Sequence, residues 1–164
     1  MLKKILYVLL ALFIIAQFFH SKRNKSTGDQ PNSIAKLYAV PDDVRSVLTK
    51  ACFDCHSNNT RYIWYCYVQP VDWWTNKHIT EGKRGLNFDE FANKSPRYQY
   101  NKLGDVKELI EKGKMPINSY LWIHKDAKLT DSEKDKIYAW TNSIRKDMET
   151  KYPMDSLIRK KRPQ

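Results

Sequence analysis

No stretch of the chain keeps an alternating apolar and polar pattern, and no segment repeats, so the sequence offers neither strands nor a solenoid and leaves an all-α body. Cysteine is scarce. Three residues, Cys52, Cys55 and Cys66, cannot all pair and are too few for a disulfide-stapled mini-protein, which points to another use for them. Acidic residues are also few, 18 against 29 Lys and Arg, for a net charge of +11. That excess sits at the two ends. Residues 1–25 carry five bases and no acid, and residues 145–164 carry seven bases and three acids, which leaves residues 26–144 with 17 bases and 15 acids. The body therefore has no basic face, and the composition argues against nucleic-acid binding.

One long apolar run is present. Lys3 and Lys4 precede Ile5 to Phe19, interrupted only by Gln17, in the manner of an exported or membrane-bound segment. Residues 1–20 read as a membrane anchor or signal peptide. No small-x-small cleavage pattern follows, which favours an uncleaved transmembrane helix over Leu2 to His20. Lys22, Arg23 and Lys25 outnumber Lys3 and Lys4, and the positive-inside rule taken alone would put the body in the cytoplasm. Residues 21–40 are polar, contain Gly28 and Pro31, and read as a linker. The domain is expected over 41–150, and 151–164 as a basic tail. The run Arg159-Lys160-Lys161-Arg162 reads as a solvated end, or as a patch for an acidic redox partner or anionic lipid.

Within the domain the apolar period is helical. Pro41, Asp42 and Asp43 open a helix whose buried stripe, Val44, Val47, Leu48, Ala51, Cys52 and Cys55, carries two cysteines. A second helix is expected through Trp73, Trp74 and His78, ending at Gly82. A third opens at Ser95-Pro96 and ends at Gly113. The last opens with a Thr130/Glu133 capping box and presents Ile137, Trp140, Ile144 and Met148 on one stripe.

Cys52-Phe53-Asp54-Cys55-His56 is the attachment pattern for a c-type haem. Two thiols three residues apart can form thioethers with the two vinyl groups on one porphyrin edge, while the adjacent imidazole reaches the iron. His56 is then the proximal ligand. A zinc reading competes, because Cys52, Cys55, Cys66 and His78 supply a three-Cys, one-His set for a zinc-stabilised interaction module.

The residues resemble a known family, a small bacterial haem-binding domain with a CxxCH motif, cytochrome c-like and monohaem. The resemblance is carried by Cys55-His56-Ser57-Asn58, Trp64-Tyr65, Pro70, Trp73, His78, Glu81-Gly82 and Leu86-Asn87-Phe88. It continues through Gly113-Lys114-Met115-Pro116, Tyr120-Leu121, His124 and Leu129-Thr130 to Trp140. It implies a cytochrome c-like helical fold holding one covalent haem c, with haem attachment outside the cytoplasmic membrane; the chain is then expected to pass electrons between redox partner proteins. On that basis the domain is expected to face the periplasm from a single-pass anchor in the cytoplasmic membrane. Cys66 departs from the small residue expected at its position.

Met115 lies 59 residues after His56, in a Gly-x-Met-Pro loop before the last helix, and is the first candidate for the distal ligand. His78 is the alternative distal ligand, and His124 a weaker one. An iron with no sixth ligand describes a haem enzyme or a gas or redox sensor. Pro70 could offer its carbonyl to His56 Nδ1. Trp64, Trp73 and Trp74 could line the haem edge or fill the core.

Overall fold

The computed structural model describes residues 1–158, and the expectation for Arg159 to Arg162 lies outside them. Among the described residues there is no strand, only an isolated bridge between Asn32 and Glu90. Helix α1 spans Leu2–Ala16 and the single turn α2 spans Ile34–Leu37. Helices α3 (Asp42–Ala51) and α4 (Phe53–His56) follow, then a 3₁₀ turn at Trp64–Tyr67 and α5 (Val71–Gly85). Helix α6 spans Pro96–Glu111, α7 Asn118–Leu121, a second 3₁₀ turn Lys125–Ala127, α8 Asp131–Lys151 and α9 Met154–Leu157.

The membrane-spanning expectation is corrected. Helix α1 stops at Ala16 after 15 residues, and no described helix is long and apolar enough to cross a membrane. At about 1.5 Å per residue it reaches roughly 22 Å, short of the ~30 Å hydrocarbon core. Of the residues that would complete a span, Gln17, Phe19 and His20 are bonded to the body instead. Gln17 Oε1 accepts from Gln69 N at 2.9 Å, and the Phe19 carbonyl accepts from Trp73 Nε1 at 3.0 Å. The expected single-pass anchor in the cytoplasmic membrane falls with that helix.

Residues 20–24 continue along the body, held by Asp72, which is 1% exposed. Its carboxylate accepts from Ser21 N and Gln69 Nε2 and pairs with Arg23 and His20. Arg23 also lies over the Tyr62 and Tyr67 rings. Ile34 of α2 is buried in the main core beside Phe88 and Phe91.

Start signals hold where a polar cap is available. Ser95 caps α6 with Pro96 in the first turn, and Thr130 and Glu133 form the capping box of α8. Gly113, at φ 63°, closes α6 in the left-handed conformation. The stripes of α3, α6 and α8 meet in one core of Val44, Leu48, Leu103, Trp140, Ile144 and Met148. A second cluster, Val47, Ile110, Leu129 and Ile137, adjoins it.

Two helix expectations change. The first helix does not run unbroken to Cys55, because Cys52 leaves helical geometry (φ −129°, ψ −45°) and its carbonyl takes both Cys55 N and His56 N. This kink starts α4 as a separate turn. Nor does Gly82 end α5, which continues to Gly85. At Gly82 the backbone of α4 crosses so closely that an added Cβ would lie 2.7 Å from the Cys55 carbonyl oxygen.

Gly82→Ala is therefore expected to push α4 off α5 and cost about 1–3 kcal/mol, more than the gain in helix propensity of up to ~1 kcal/mol. Gly85→Ala, with nothing within 4 Å of the new Cβ, is expected to be neutral or slightly stabilising. Urea midpoints of the two variants check the difference, and equal midpoints would remove the close-approach argument.

Candidate functional site

Helices α3 to α6 and the segment after α6 enclose a cavity of about 410 Å³. That volume falls in the range of roughly 300–1,000 Å³ common for cofactor and small-molecule sites. Cys52, Cys55 and His56 form one wall, and Val106, Leu109 and Ile110 of α6 form another. Met115, Ile117 and Tyr120 close the far side, and His78 and Gly82 of α5 also line it. The motif residues and both candidate distal ligands thus share one mostly apolar space.

His56 is fixed at two points. Its Nδ1 donates to the Leu86 carbonyl at 2.9 Å, and its own carbonyl accepts from Phe88 N at 2.8 Å. The carbonyl acceptor is Leu86, not the expected Pro70, because α5 carries the chain past Pro70 and returns it beside α4 at Leu86. With Nδ1–H engaged, Nε2 keeps its lone pair for a metal. Burial lowers the His56 pKa below the usual imidazole value, against the opposing effect of the Leu86 bond, so the ring is held neutral.

All three cysteines are free. Burial raises the Cys52 pKa to about 12 and, with the nearby Asp54 and Cys66, the Cys55 pKa to about 11. Both remain thiols at neutral pH, whereas metals bind thiolates. The zinc alternative is corrected on the same geometry. Cys66 is buried in the 3₁₀ turn and does not line the cavity, and among the described residues no three or more His, Cys, Asp and Glu side chains are grouped to hold a metal ion.

His78 donates from Nδ1 to the Trp74 carbonyl and packs on the Trp74 ring at 4.3 Å, with Nε2 unengaged. Met115 is half-buried against the Val47 and Ile110 cluster. Trp64, Trp73 and Trp74 are exposed, and none lines the cavity. His124 is buried and accepts from or donates to the Tyr65 hydroxyl, stacked on Tyr120 at 4.0 Å.

Sequence reasoning did not find the Asp54 and Tyr120 pair. The Tyr120 hydroxyl donates to Asp54 Oδ2 at 2.7 Å across 66 residues of chain. Only the position of Asp54 inside the motif hinted at a role.

Both thiols are less acidic in the folded chain than their usual value of 9.0, so below pH 9 they favour neither state by proton binding. Above it the unfolded chain ionises first, and stability falls between about pH 9 and 12. In the haem-free protein the urea midpoint should drop over that window more steeply than in a Cys52→Ala/Cys55→Ala variant. Parallel curves would remove the burial argument.

Two thiols, an imidazole with a free Nε2 and apolar walls are a donor set and lining that fit a haem. The chain was compared with known proteins. No curated protein and no solved structure matches it. A family model described as a haem-binding domain matches residues 11–143, most of the chain, and the protein belongs to that haem-binding family.

Proposed function

We propose that the chain is a monohaem c-type cytochrome that passes single electrons between redox partner proteins. One observation carries the reading: His56, held by Leu86 with Nε2 free, lines the same cavity as Cys52 and Cys55. Cys52 and Cys55 are the attachment points. Their thiols would hold the haem covalently, each by S–H addition to one vinyl group, which consumes no oxidant. His56 Nε2 and the Met115 thioether would hold the iron.

A haem bound there supplies a one-electron ferric/ferrous couple. The protein supplies the rest. The Leu86 carbonyl sets the His56 tautomer and ring plane, and Val106, Leu109 and Ile110 keep water from the cavity. Met115 donates a thioether, which with His raises the potential into a range suited to electron transfer. His78 is the second reading for the distal ligand, supported by its unengaged Nε2 in the same cavity.

The test is a reduced-minus-oxidised spectrum of protein matured with haem, followed by acid-acetone extraction. Haem should stay with the chain, and the Cys52→Ala/Cys55→Ala variant should release all of it. Met115→Leu should keep haem attached, lower the potential and let carbon monoxide bind the ferrous iron. The same changes in His78→Ala, but not in Met115→Leu, would move the distal role to His78. Carbon monoxide binding to the unaltered protein would mean an open iron and sink the electron-transfer reading.

A further inference from the structure

The segment from Gly113 to His124 carries Met115, and of its residues only His124 is buried. Helix α7 within it has no buried residue, and Trp122 and Ile123 are 72% and 58% exposed. Its backbone bonds are local, to Leu109, Ile110 and within α7. Among the described residues, its side-chain hydrogen bonds to other elements come from two positions, Tyr120 and His124. Tyr120 reaches Asp54, which stands between the two motif cysteines.

Asp54 is a prepared acceptor. It is 8% exposed, its Oδ1 accepts from Arg61 N at 2.9 Å, and the Arg61 guanidinium lies 3.6 Å from Oδ2. Its carbonyl is fixed separately by the Thr60 hydroxyl at 2.6 Å. Tyr120 is prepared as well, stacked nearly parallel on His124 (13°), which is in turn bonded to the Tyr65 hydroxyl. Burial, then the Asp54 bond, drive the Tyr120 pKa upward, so the phenol stays a donor.

We infer that Tyr120 and Asp54 are positioning residues: their hydrogen bond latches the Met115-bearing wall of the cavity to the turn that carries Cys52, Cys55 and His56. The inference rests on the proposed haem site, but the latch itself is present in the chain without haem. The carboxylate within the motif thus reaches a loop 66 residues away, and the two walls of the cavity are joined in the chain without haem. A charge-assisted bond lost from such a place is felt strongly, because the buried acceptor is left short of a donor.

Tyr120→Phe removes the hydroxyl and keeps the ring on His124. In the haem-free full chain, iodoacetamide should alkylate Cys52 and Cys55 about tenfold faster than in the unaltered protein, while Cys66, which does not line the cavity, keeps its rate. In protein matured with haem, Tyr120→Phe should retain the haem, lower the potential and permit carbon monoxide binding part of the way towards Met115→Leu. Faster alkylation with no carbon monoxide binding in either variant would uphold the latch and reject Met115 as ligand. Unchanged alkylation of Cys52 and Cys55 would overturn the latch, and so would an equal rise at all three cysteines, which marks general loosening. Asp54→Asn, which keeps an acceptor oxygen, should alkylate more slowly than Asp54→Ala; equal rates would also overturn it.

Discussion

The pairing of His56 with the chain at Leu86 and Phe88 is the constraint from which the site follows. One bond leaves the imidazole ring and the other leaves its backbone, so the residue is held in both orientation and height. To make those bonds α5 must return beside α4, and Gly82 lets the two backbones nearly touch there. Phe88, 1% exposed, then enters the core and meets Phe53 edge-on at 5.6 Å. The imidazole is thus coupled to the packing of the whole helical body.

Two buried carboxylates divide the remaining polar work. An ionised carboxylate in an apolar interior is costly unless its oxygens are engaged. Asp72 answers this with Arg23, Ser21 and Gln69, and so binds the segment after α1 to α5. Asp54 answers it with Arg61 and Tyr120, and so joins the motif to the loop after α6. Each uses the need for partners to tie down chain that contributes little apolar surface.

What was legible in the sequence was local. The motif, the Ser95 and Thr130 caps and the stripe of α8 are patterns within a few residues, fixed by helical geometry. The features that were misjudged depend on distant chain. Gly82 has the composition of a helix stop, and only the crossing of α4 makes it a contact point. The acceptor for His56 is a main-chain carbonyl, which no side chain announces. The apolar run from Ile5 to Phe19 has the length of a short span, but Gln69 and Trp73 capture its end by hydrogen bonds that hydropathy does not register.

The protonated state of the cavity thiols bears on how long the chain can wait for its cofactor. Air oxidation, disulfide exchange and capture of soft metals all proceed through the thiolate. Relative to an ordinary thiol, burial, and at Cys55 also the nearby Asp54 and Cys66, disfavour that species at both positions. The folded chain therefore holds both sulfurs in the protonated, less reactive form, in the same cavity as a neutral imidazole.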